Sequence, residues 1–149
     1  MGDNDVLETL ERVKERRERL GSAADGLERA ITRAAGDERT WRAGVRSALD
    51  EVRAALDAHV DEVEAPGGLY TDIITRSPRL THGIERLRHD HLTMSGQIAD
   101  LAAAVAPGGG SVETTRESAL VLIAEISRHR HRGADLLWDS YDLDIGAGD

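Results

Sequence analysis

The chain has no cysteine and no phenylalanine, three prolines, and only two tryptophans and two tyrosines. Without cysteine there is no disulfide framework, no thiolate zinc site and no cysteine nucleophile, which fits a reducing cytosol. No apolar run approaches the ~20 residues needed to cross a bilayer. The opening MGDNDVLETLE is acidic and amphipathic and does not read as a signal peptide, so a cytoplasmic protein without a membrane segment is expected. Positive charge is also short: 19 Lys and Arg stand against 28 Asp and Glu, a formal net charge of −9. Such a field repels phosphate backbones and argues against nucleic-acid binding over a broad face. There is no P-loop, no G-x-G-x-x-G after a strand, no HExxH and no G-x-S-x-G elbow.

What is abundant is alanine, leucine, arginine and glutamate, the strong helix formers. At 149 residues the chain makes one domain, 1–149, with a real core. Asp5 and Glu8 read as a capping box opening a first helix. Its apolar line runs Val6, Leu10, Val13, Leu20, Ala24, Leu27 and Ile31 in steps of three and four, interrupted by Arg17. Asp37 caps a second helix carrying Trp41, Val45, Leu49, Val52, Leu56, His59 and Val63, which APGG at 65–68 stops. The connector GLYTDIITRS is longer than a turn needs, with room for a helical turn over 69–74. Ser77-Pro78 reads as the cap of a third helix with Leu80, Ile84, Leu87, His91, Met94, Ile98, Leu101 and Val105, ended by PGGG at 107–110. Ser111 begins a fourth, with Ala119, Leu122, Ile126, His129, Gly133, Leu136 and Ser140 in line, and the acidic tail is expected to fray from about residue 143. The prediction is an all-α, up-down-up-down antiparallel four-helix bundle.

Helical geometry then sorts the six histidines, since residues three, four and seven apart share a face. His59, His91 and His129 each fill a slot where the spacing calls for Leu or Ile, whereas His82 and His89 point outward and His131 is intermediate. Reflecting His91 through the 107–111 loop lands one turn from His129. His59 lies one to two turns from the end of its helix. The three are therefore expected to converge in one layer near one end of the bundle. Burying three neutral imidazoles costs roughly 1–3 kcal/mol for each unmet polar group, and one shared cation satisfies all three. Carboxylates are expected to complete such a site. Glu62 follows His59 by three and continues the Ala48–Ala55 line. Glu64 joins only if its helix unwinds before Pro66. Asp135, or His131 four residues before it, joins if a kink at Gly133 swings it inward. Each of the three reads alternatively as solvated surface, and Asp90 reads as a surface charge or as a partner behind a ligand. Nitrogen and oxygen donors without sulfur suit iron, manganese or zinc, with non-haem iron first.

Three segments, HVDEVE, LRHDHLTM and SRHRHRGAD, together with APGGLY and YDLDIG, resemble the hemerythrin-like (HHE cation-binding) family over roughly residues 5–142. That resemblance implies His59, His91 and His129 as ligands, with Glu62 or Glu64 and Asp135 as carboxylate candidates. It also implies two bridged non-haem irons that bind or react with oxygen, nitric oxide or peroxide as carrier, sensor or scavenger, and the departures below leave one or two ions open. The chain departs from the family pattern in four places. The first helix has no histidine and bears Arg17 near that level; Val63 and Ser95 stand at i+4 from His59 and His91; and Gly133 stands where an acid is common. Two other functions stay open: a metal-free regulatory or protein-interaction bundle, and an oxygen-activating metalloenzyme whose substrate enters near Tyr70.

Overall fold

The computed structural model describes the backbone of residues 2–146 and the side chains of residues 2–140. The helices are α1 (Asp3–Thr32), α2 (Glu38–Val63), α3 (Leu69–Arg76), α4 (Thr81–Val105) and α5 (Val112–Gly146), with a 3-10 turn at Pro78–Leu80 before α4. The described residues include no strand, and no helix among them is long and apolar enough to cross a membrane. The tail expected to fray from about residue 143 falls outside the residues whose side chains are described.

Most element ends have a local cause. Asp37 Oδ1 accepts from the Thr40 N–H at 3.3 Å and Oδ2 from its hydroxyl at 2.7 Å, which satisfies an orphan donor at the start of α2. Ser111 Oγ does the same for the Thr114 N–H at 3.1 Å, just before α5. α1 starts earlier than the Asp5–Glu8 pair implies: the cap is Gly2, whose N–H donates to Asp5 Oδ2 at 3.4 Å. After α2 and α4 the chain reverses through Gly67 (φ 73°) and Gly108 (φ 75°), the left-handed conformation that glycine adopts without cost. The connector folds into α3, which buries Leu69, Tyr70 and Ile73. Ser77 makes no side-chain cap, and Pro78 opens the 3-10 turn, so α4 begins at Thr81.

α1 packs on α2 and α5, and α4 packs on α5 and α2. Two apolar clusters fill the interior. The larger gathers, among others, Leu20, Leu27, Leu49, Leu56, Met94, Ile98, Leu122 and Ile126 from the four long helices. The smaller joins Val13, Val63, Ile84 and Leu87 to Leu69, Tyr70 and Ile73 of α3. Each helix seam passes from one cluster to the other, and the residue at each crossing is polar.

Candidate metal centre

The crossing residues follow from the three-and-four spacing. On α2, His59 stands between Leu56 and Val63; on α4, His91 stands between Leu87 and Met94. On α5, His129 comes three residues after Ile126 of the larger cluster. On α1, Arg17 stands between Val13 and Leu20. The three rings are nearly sealed, with 5%, 3% and 2% of the surface of His59, His91 and His129 exposed.

All three rings turn Nε2 to a common point. His129 Nε2 lies 3.2 Å from His59 Nε2 and 3.1 Å from His91 Nε2. Two nitrogens bound to one ion at about 2.1 Å each stand roughly 3.0–3.4 Å apart, so the spacing is that of ligands sharing a cation. The tautomers point the same way. His129 Nδ1 faces Asp90 Oδ2 at 2.9 Å, so that nitrogen carries the proton and Nε2 is a lone pair. One lone pair cannot accept from both neighbouring rings. Nor is the group relieved by protonation. Burial pushes His59 down to about 3, with the charges of His129 and Arg17 adding to it. Burial pushes His91 down to about 2, helped by His129, His59 and Arg88. His129 is also lowered by burial, against the opposing hydrogen bond it donates to Asp90.

The outer faces of the rings are held unequally. Asp90, itself 5% exposed, bridges His129 Nδ1 and the Arg132 guanidinium, the latter at 2.9 Å. A carboxylate behind a ligand histidine fixes its tautomer and raises its basicity, a recurrent arrangement at metal sites. Glu64 Oε1 stands 3.3 Å from His91 Nδ1, too far off line for a hydrogen bond, and 3.8 Å from Arg88 Nε. The His91 ring stacks on Tyr70, with centroids 6.0 Å apart and planes 10° from parallel. Burial, then the charges of Glu64 and Asp90, raise the Tyr70 phenol above its ordinary range and keep it protonated. His59 Nδ1 and His91 Nδ1 are buried without a hydrogen-bond partner.

The other expected residues lie elsewhere. Glu62 turns to α1, with Oε1 2.9 Å from Arg12 Nε and Oε2 3.7 Å from Arg16. Glu64 does come inward where α2 ends, but to the outer edge of His91 and not to the Nε2 side. Asp135 is exposed, as are His82, His89 and His131, the last donating from Nδ1 to the Ser127 carbonyl at 2.7 Å. The groups that spacing alone did not place are Asp90, Arg132 and Tyr70. A signal for the first two was present in Asp90 next to His91 and Arg132 three residues after His129.

Beside the nitrogens lies a cavity of about 30 Å³. Its walls include His59, His129, Tyr70 and Leu87 together with Arg17 and Arg130. At ~10–15 Å³ per water it has room for about two waters or one diatomic molecule. Three buried imidazoles at this spacing have the donor set to hold a metal ion, with His59, His91 and His129 as its ligands. No protein-family model, curated protein or solved structure matches the chain.

Proposed function

We propose that the chain is a hemerythrin-like protein: an up-down-up-down bundle that holds non-haem iron on His59, His91 and His129 and handles oxygen, nitric oxide or peroxide. The observation that carries this reading is the convergence of three buried Nε2 atoms, with His129 fixed from behind by Asp90. When bound, the ion would supply a Lewis-acidic, redox-active centre. The chain supplies everything else. Asp90 keeps the His129 lone pair inward, Tyr70 covers the His91 face, and the adjoining cavity admits a molecule no larger than a few atoms. Manganese or zinc suits the same nitrogens.

Metal analysis of protein expressed in iron-supplemented medium, with a visible spectrum, tests the reading. Stoichiometric iron and an absorption band that changes with oxygen, nitric oxide or peroxide support it; absence of metal above trace refutes it. One observation favours the metal-free interaction bundle instead. Arg17 already depresses His59, and the same positive charge opposes a cation at that point. Trace metal together with full stability would favour that second reading.

A further inference from the structure

We propose that Arg17 and Arg130 form a subsite for a small monovalent anion next to the histidine nitrogens. The proposal deepens the metal reading, and rests on it only for the cation that would adjoin the anion.

Apart from the two arginines, His59, His129 and Tyr70, the cavity walls are apolar, Leu20, Val63 and Leu136 among them, and no carboxylate of the described residues lines it. Both arginines are half-buried in a chain rich in acid, yet neither makes an ion pair or hydrogen bond with any described residue. By contrast, Arg132, on the same helix as Arg130, bridges to Asp90, and Arg12 and Arg16, beside Arg17, share Glu62. Arg130 Nε is buried with no partner among the described residues. A donor left dry in this way carries the full cost of its desolvation until something accepts from it.

The Arg130 position is also built. Its guanidinium lies against Gly21 of α1, where a Cβ would come within 2.4 Å of Cζ. Glycine inside a helix is less favourable than alanine, and here it makes room for the guanidinium. Arg17 reaches the same space from the seam slot of α1, close enough for its charge to act on His59. Two cations thus face one small cavity without a counter-charge. A metal ion on the three histidines would add to that excess, because Asp90 is already shared between His129 and Arg132. A small monoanion, accepting from both guanidinium groups, removes it. At about 30 Å³ the cavity limits the anion to a few atoms, the size of nitrite, azide or a halide.

Titration calorimetry with sodium nitrite at constant ionic strength tests this on metal-free and zinc-loaded wild-type protein and on the Arg17→Gln/Arg130→Gln double variant. Saturable binding to the wild type is expected, weakened about tenfold or more in the double variant, which takes up zinc at least as tightly as the wild type because the opposing Arg17 charge is gone. No saturable nitrite binding by the wild type in either form overturns the subsite. So does equally tight binding by the double variant, since the metal alone then takes the anion. If the wild type takes up no zinc, the metal reading fails. Arginine-dependent nitrite binding to the metal-free protein still upholds the subsite in that case, so the two failures are distinguishable. Arg17→Met, which keeps the side-chain volume, is a second variant for use if the double substitution lowers stability. It should weaken nitrite binding several-fold, and unchanged affinity would overturn the role given to Arg17.

Discussion

The two apolar clusters share residue types and helical spacing, but they are assembled differently. The larger one is made by the four long helices alone, aliphatic against aliphatic, with Trp41 at its far end. The smaller one depends on α3, a helix of 8 residues that contributes Leu69, Tyr70 and Ile73 as a cover. Between them runs a layer in which every seam gives up its apolar residue: His59, His91, His129 and Arg17. If the chain needed only a stable interior, leucine at those positions would serve better, because each buried polar group must be satisfied or costs free energy. The difference between cluster and layer separates what makes this protein fold from what makes it able to bind.

Substitutions that act on one side of this division should leave the other side intact. The largest effect is expected in the larger cluster. Ile98→Ala, at a site 1% exposed, should lower stability by about 2–5 kcal/mol in denaturant unfolding while leaving metal stoichiometry unchanged. Loss of metal by a still-folded Ile98→Ala protein would break the comparison. Next in size is Asp90→Asn, which keeps the shape but weakens the support behind His129 and the partner of Arg132. Metal affinity measured by competition with a chelator should fall about 10- to 100-fold.

The layer should also respond to pH where the clusters do not. In the metal-free protein the histidine pKa values lie below the unfolded value of 6.5, with His59 at about 3. Between these limits the unfolded chain binds more protons, so stability is complete above about pH 6.5 and is lost as the pH falls toward 3. Unfolding midpoints measured across that range should drop for the wild type and drop less steeply for His59→Leu. Parallel curves would remove the histidines as the cause. The smallest effect is expected for Glu62→Gln. Its ion pairs with Arg12 and Arg16 are partly solvated, so the loss should be within about 1 kcal/mol, with metal uptake unchanged.

Much of this architecture is legible in the sequence because it depends on periodicity within one helix. The steps from Leu56 to His59 to Val63, and from Leu87 to His91 to Met94, place both histidines in a seam without knowledge of the neighbouring helix. What periodicity does not contain is the partner across the gap. Glu62 continues an inward line on α2, but Arg12 and Arg16 of α1 meet it first and hold it aside. Asp90 is one residue from a seam position, and it is buried because α5 packs on that flank of α4 and brings His129 and Arg132 to it. The unpaired state of Arg17 and Arg130 is likewise a property of the space between helices. The connector has room for a helical turn over 69–74, but neither the cover that α3 forms with Leu69, Tyr70 and Ile73 nor the stacking of Tyr70 on His91 is contained in that spacing.

The proposed function requires the histidine layer to hold a metal ion. Elemental analysis of the wild type and of His91→Leu, each purified from iron-supplemented cells and melted with and without chelator, tests it most directly. At least one ion per wild-type chain is expected, with a melting temperature that falls on chelation. His91→Leu should retain only trace metal and melt independently of chelator, at or above the metal-free wild type, since an orphaned buried nitrogen has been replaced by apolar packing. Wild-type protein with only trace metal and no response to chelator would contradict the account.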